Sequence, residues 1–285
     1  MRLRILFFVL CVCCAPYVKA QSDVKVVEDS LFSISVNAYM KFYAVLPEHY
    51  NDTQERYTTL YLLHGYTGNY SDWVRFTELV KYAKQYNFII ITPDGRNSWY
   101  CNSPTVKNNN FEDYIMKEII SFVDKKYRTI ATRHGRAIAG LSMGGYGALK
   151  FAIKYPETFF YCASLSGAIH LPATMNLIIQ KRPSEYVQSL KTAFGENKNE
   201  FLKNDVFTLI DSVSIDRLPY LYLSVGHNDG IPEIIEYSNL FSTTLRKKKA
   251  AYEFHETIGE HNWIFWDKEI EIVLQKIERY QQSNY

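Results

Sequence analysis

Residues 135–150 read GRAIAGLSMGGYGALK. A short apolar run, Ala137 to Ala139, passes through Gly140, Leu141, Ser142, Met143 and Gly144 into a helix-favouring segment, Tyr146 to Tyr155. This is G-x-S-x-G placed between a strand and a helix, an arrangement that leaves a serine hydroxyl exposed on a sharp turn. Larger side chains beside the serine would crowd that turn, whereas Gly140 and Gly144 let strand and helix approach. The helix N-terminus that follows favours negative charge developing next to it. The motif is short, and its meaning depends on partners elsewhere in the chain. A serine nucleophile needs a base, a group that orients the base, and donors for an oxyanion.

The chain around this stretch reads as α/β. From residue 58 onward short apolar runs alternate with amphipathic helical stretches, the pattern of a mainly parallel sheet with crossover helices on both faces. The runs are Leu60–Leu63, Phe88–Ile91, Ala137–Ala139, Phe159–Leu165, Leu218–Val225 and Ala251–Phe254. Helices are expected over 71–86, 112–126, 143–155, 232–248 and 264–281. Before residue 58, three β-rich stretches, Val24–Val27, Phe32–Val36 and Met40–Leu46, read as antiparallel edge strands. The segment 168–217 is longer than a normal crossover and shows no second core. It reads as a small helical, cap-like insert within one domain spanning 21–285.

The partners of Ser142 follow from chain order, in which the acid precedes the histidine. Leu218–Val225 ends in Gly226-His227-Asn228-Asp229-Gly230, so Asp229 enters a loop at a strand's carboxyl end, where active sites of α/β sheets gather. Asp211, Asp216 and Asp267 are rivals with poorer positions. After the last strand comes Gly259-Glu260-His261-Asn262-Trp263, which puts His261 at the same edge as the candidate base. Leu60–Leu63 runs into His64-Gly65-Tyr66-Thr67-Gly68, and the backbone N–H groups of Tyr66 and Met143 are the expected oxyanion donors. His64 reads as a structural hydrogen-bonding residue. Trp73, Asn97, Trp99 and Tyr100 are candidates for lining the acyl or sugar side, with core packing the competing reading for the tryptophans. No metal-ligand spacing is present, so neither metal nor cofactor is expected.

Composition bounds the rest. Apolar content of 47% and charged content of 22% describe an ordinary globular chain. Arg2 and Arg4 precede an apolar run, Ile5 to Cys14, with small residues around Val18-Lys19-Ala20. This reads as a cleaved signal peptide, 1–20, too short for a stable membrane span, and a secreted or periplasmic protein. A lipoprotein is the weaker alternative. Cleavage leaves 29 of 32 basic residues against 30 acidic ones, a net charge of −1, which gives no reason to expect nucleic acid as a partner. Cys101 and Cys162 then remain, and spacing alone does not pair them. Oligomeric state is not legible.

Four separated blocks carry a family resemblance: YLLHGYTGNYSDW, PDGRNSWYCNSP, GLSMGGYGALK, and GHND with GEHNWIFW. Together they resemble the esterase D-like branch of the α/β-hydrolases, which includes secreted feruloyl and acetyl xylan esterases, S-formylglutathione hydrolases and mycolyltransferases. The resemblance implies Ser142, Asp229 and His261 as the triad and Tyr66 and Met143 as oxyanion donors. The cysteine-containing oxyanion loop common in S-formylglutathione hydrolases is absent. The expectation is a serine esterase acting on acetyl- or feruloyl-type esters of plant-polysaccharide fragments. An acyltransferase with a sugar or glycerol acceptor, and a non-catalytic carbohydrate-binding protein, are the alternatives. Leu177-Ile178-Ile179, followed by Gln180-Lys181-Arg182, is too brief a run to hold a long acyl chain, which argues for short or aryl acyl groups.

Overall fold

The computed structural model describes residues 24–178 and 183–283. The expected signal peptide lies outside them. Eight strands form one sheet: β1 (Lys25–Ser33), β2 (Ala38–Leu46), β3 (Thr58–Leu63), β4 (Phe88–Pro93), β5 (Arg136–Leu141), β6 (Tyr161–Leu165), β7 (Tyr220–Gly226) and β8 (Tyr252–Thr257). Their spatial order is β1-β2-β4-β3-β5-β6-β7-β8. The β1–β2 and β2–β4 pairs are antiparallel, and every other pair is parallel.

Central strands such as β3 (TTLYLL) and β4 (FIIITP) are buried along their whole length, as parallel strands covered on both faces must be. Their side chains alternate between two cores. Tyr61, Leu63, Ile89 and Ile91 face one apolar cluster, while Leu60, Leu62, Phe88 and Ile90 face the other. The helices are α1 (Asp72–Phe76), α2 (Leu79–Ala83), α3 (Phe111–Asp113), α4 (Ile120–Lys126), α5 (Met143–Lys154), α6 (Leu171–Ile178), α7 (Ser184–Phe194), α8 (Lys198–Leu202), α9 (Val206–Ser212), α10 (Pro232–Lys248) and α11 (Trp263–Ser283). Val123 of α4, Leu149 of α5 and Phe241 of α10 fill the first cluster; Leu79 of α2 and Ile270 and Leu274 of α11 fill the second. Leu190, Phe194, Phe201 and Ile210, from the helices between β6 and β7, join the first cluster rather than forming their own.

Three sequence expectations need correction. Phe32–Val36 is not a separate strand: β1 runs on through Ser33, and the chain turns at 34–37, where Asn37 takes φ 52° and the Val36 N–H donates to Ser33 Oγ. The stretch 71–86 holds two short helices because Thr77 is extended and the Glu78 N–H is taken by Asp267 Oδ1. Between α3 and α4 the chain adopts a wide π-helical turn, Tyr114–Ile119.

A buried polar cluster ties α5 to the layer outside it. Lys150 is fully buried, and its Nζ donates to Tyr100 O at 2.8 Å and Glu112 Oε2 at 2.9 Å, with Cys101 Sγ at 3.2 Å. Glu112 Oε1 also accepts from Lys154 Nζ at 2.6 Å and Tyr155 Oη at 2.5 Å. Burial pushes the Glu112 carboxyl up, but Lys150, Lys154 and Tyr155 outweigh it and hold it at about 2, below its ordinary 4.5. A depressed folded-state value means that this stabilisation is complete above about pH 4.5 and is lost as pH falls towards 2. Glu112→Gln leaves the Lys150 ammonium buried without its counter-charge, a change that costs about 3–5 kcal/mol. Its stability deficit in urea should therefore be full at pH 7 and shrink below pH 4.5. A deficit independent of pH would remove the charge from the explanation.

Candidate active site

Four strands deliver the predicted residues to one edge of the sheet. Ser142 follows β5, His64–Gly68 follow β3, Asp229 follows β7 and His261 follows β8. The turn at Ser142 is tight enough to dictate its neighbours. A Cβ on Gly140 would lie 2.4 Å from the Gly144 carbonyl, and a Cβ on Gly144 would lie 2.4 Å from Leu63 O. Ser142 itself takes φ 50°, ψ −114°, a conformation a side-chain-bearing residue holds only when its surroundings impose it. They do: its N–H donates to Leu165 O, and its carbonyl accepts from the Tyr146 and Ala168 N–H groups.

His261 links the other two groups. Its Nδ1 lies 2.8 Å from Asp229 Oδ2, and its Nε2 lies 3.0 Å from Ser142 Oγ. A carboxylate only accepts, so Nδ1 carries the proton and Nε2 is left to accept from the serine. The Asp229 side chain is fully buried, and its Oδ1 accepts from the Ile231 N–H at 3.0 Å. The His261 ring is held edge-on against Trp266, with centroids 4.9 Å apart. The rival acids are elsewhere: Asp211 pairs with Lys248, Asp216 is bound by Ser214, and Asp267 holds Glu78 and Tyr82.

Met143 opens α5, so its N–H is one of the donors left without a helical partner. Gly65 passes close to the serine: a Cβ there would sit 3.6 Å from Ser142 Cβ and 2.6 Å from a Leu141 methyl. That contact places Tyr66, the next residue, beside the serine. The loop is pinned from outside. His64 Nδ1 donates to Gly65 O, its Nε2 accepts from the Gly95 N–H, and the Tyr100 hydroxyl donates to His64 O. Asn97 Oδ1 accepts from the Thr67 N–H at 2.7 Å.

Ser142 and His261 lie in a cleft of about 840 Å³. Asn97 and Trp99 line it, but Trp99 is only 1% exposed, with its indole N–H donating to Ser189 Oγ. Trp73 and Tyr100 do not line it. Both are fully buried, Trp73 donating to Leu63 O and Tyr100 packing under Gly95 and Gly147. The rings that do form walls are Tyr66 and Tyr186, which cluster with Trp99, and Phe76, Trp263 and Trp266 on the histidine side. Sequence reading missed Phe76, Trp263, Trp266 and Tyr186. The i, i+3 spacing of Trp263 and Trp266 just after His261 was the available signal for those two. Cys101 and Cys162 are free and buried. No helix among the described residues is long and apolar enough to cross a membrane.

A model of the Esterase family ("Putative esterase") matches residues 33–276. The chain belongs to this family. It is 32% identical over 221 residues to an acetyl esterase of Caldicellulosiruptor saccharolyticus, covering 76% of this chain and 81% of that protein. It is 33% identical over 128 residues to an endo-1,4-beta-xylanase/feruloyl esterase of Xylanibacter ruminicola, covering 42% of this chain and 18% of that longer protein. A substrate-bound Staphylococcus aureus structure, fluorophosphonate-binding serine hydrolase F, superposes with a TM-score of 0.78 at 23% identity, covering 90% of this chain and 99% of that one. The α/β-hydrolase fold is thus shared, and the chain is a carboxylic ester hydrolase.

If Trp73 is a core residue rather than a cleft wall, Trp73→Ala should lower stability by about 3–5 kcal/mol in urea unfolding. Intact stability with altered acyl selectivity would return it to the cleft.

Proposed function

We propose that the protein hydrolyses short-chain or aryl esters of carbohydrate alcohols through an acyl-enzyme on Ser142. The observation that carries the reading is His261 standing within hydrogen-bond reach of both Asp229 and Ser142. Ser142 Oγ attacks the ester carbonyl carbon while His261 Nε2 takes its proton. Asp229 keeps the proton on Nδ1 and stabilises the imidazolium. The carbonyl oxygen, now an anion, is held by the Tyr66 and Met143 N–H groups. His261 returns the proton to the leaving alcohol, and water, activated by the same imidazole, then releases the acid.

The acyl preference rests on the walls. Tyr66 and Tyr186, packed against the buried Trp99, offer aromatic surface in the cleft, which suits an acetyl or aryl group. The stretch Ile179–Arg182, part of the argument against long chains, lies outside the described residues. The family's acetyl esterase and feruloyl esterase relatives agree with this preference. Export is the setting that the N-terminal sequence supports, and the xylanase/feruloyl esterase relative favours plant-polysaccharide fragments as the substrate.

Ser142→Ala should reduce kcat by about 10⁵–10⁶, and Asp229→Asn by about 10⁴, with folding intact by circular dichroism. Asp211→Asn and Asp216→Asn should stay near wild type. Activity surviving in the serine variant, or a crippled Asp211 or Asp216 variant, would reject the assignment. Across acetyl, butyryl, octanoyl, palmitoyl and feruloyl esters, kcat/KM should be highest for acetyl or feruloyl. Palmitoyl leading the series would overturn the substrate class.

A further inference from the structure

The leaving alcohol must depart beside His261, because that imidazole returns its proton. The wall continuous with His261 is therefore the alcohol side. It runs from Trp266 to Trp263, centroids 5.4 Å apart, and from Trp263 to Phe76, 5.2 Å apart. Phe76 is 47% exposed and Trp263 half-buried, so ring surface is open at the rim. Arg75 stands over the Phe76 ring with its guanidinium carbon 5.1 Å from the centroid. It is exposed, and among the described residues it is the one Lys or Arg that lines the cleft. Its guanidinium makes no hydrogen bond or ion pair with another described residue. Asp72, one helical turn earlier, also lines the cleft but is buried, its Oδ2 accepting from the Asn69 N–H at 3.1 Å. Glu185 is the other acid in the lining.

We propose that Arg75 reads a carboxylate on the alcohol moiety, and that the preferred alcohol is a uronate-bearing sugar. The inference rests on the esterase reading above and narrows it. Aromatic rings present an apolar face to the C–H side of a pyranose. A guanidinium offers paired donors that match a carboxylate. Phe76 and Trp263 supply the first, Arg75 the second, on the side where the alcohol leaves. Because the guanidinium is exposed, the gain is modest and screened by salt.

The test compares kcat/KM for three acetates: an acetylated methyl glucoside, the matching methyl glucuronoside, and O-acetyl-4-hydroxybutyrate. Wild type should favour the glucuronoside over the glucoside by about fivefold at low ionic strength. The ratio should fall towards one at about 0.5 M salt and in Arg75→Gln, and recover in part in Arg75→Lys. The hydroxybutyrate ester, which has the carboxylate but no ring, should gain less than the glucuronoside. A wild-type ratio of one, or a preference that survives Arg75→Gln, overturns the proposal. An equal gain for hydroxybutyrate overturns the sugar platform. If wild type cleaves none of the three, it is the esterase reading itself that fails, and this subsite with it.

Discussion

The backbone contact between Gly144 and the end of β3 is the constraint on which the site depends. The start of α5 presses against the Leu63 and His64 carbonyls so closely that no side chain fits between them. That contact sets where α5 begins, and with it the position of Ser142. Ser142 can then bridge from β5 into α5 only with a positive φ. The same approach brings the loop after β3 alongside the serine, where Gly65 nearly touches Leu141 and Ser142. One steric fact thus positions the candidate nucleophile and both candidate oxyanion donors together.

A conformation this strained needs support, and it comes from behind. Lys150, two turns along α5, reaches through the core to Tyr100 O and Glu112. Tyr100 in turn bonds His64 O, at the base of the loop that carries Tyr66. Helix, loop and outer layer are therefore connected by buried polar groups with their partners in place. Such groups are expensive to leave unpaired, so they specify one arrangement rather than many. Asn97, read from sequence as a candidate substrate contact, belongs to the same scaffold through Thr67.

The site's polar residues were legible because each sits where a parallel strand ends, and the parallel strands announce themselves as uninterrupted apolar runs. Ser142, Asp229 and His261 needed only those strand ends and their order. The cleft walls were not legible. This chain is rich in aromatics, with 23 Tyr and 17 Phe, and a ring in the core looks the same in sequence as a ring in a wall. Trp73 and Trp263 pack edge-to-face 5.3 Å apart, yet Trp73 is buried and Trp263 faces the cleft. Their roles differ by one layer of packing that arises from α1 meeting α11, elements nearly two hundred residues apart. The β1–β2 turn was misread for a related reason: Phe32, Ile34 and Val36 alternate like a strand, but Ile34 is 81% exposed and points away from any core.

The central claim is that an ester's acyl group passes through Ser142. The most direct measurement is acid-quenched intact-mass and peptide-mass spectrometry of the enzyme during turnover of nitrophenyl acetate. The account predicts one acetyl group per chain, located on the peptide that contains Ser142, forming with the first turnover and disappearing once substrate is exhausted. Steady turnover with no acetyl on that peptide, or with acetyl accumulating on another residue at the rate of turnover, would contradict it.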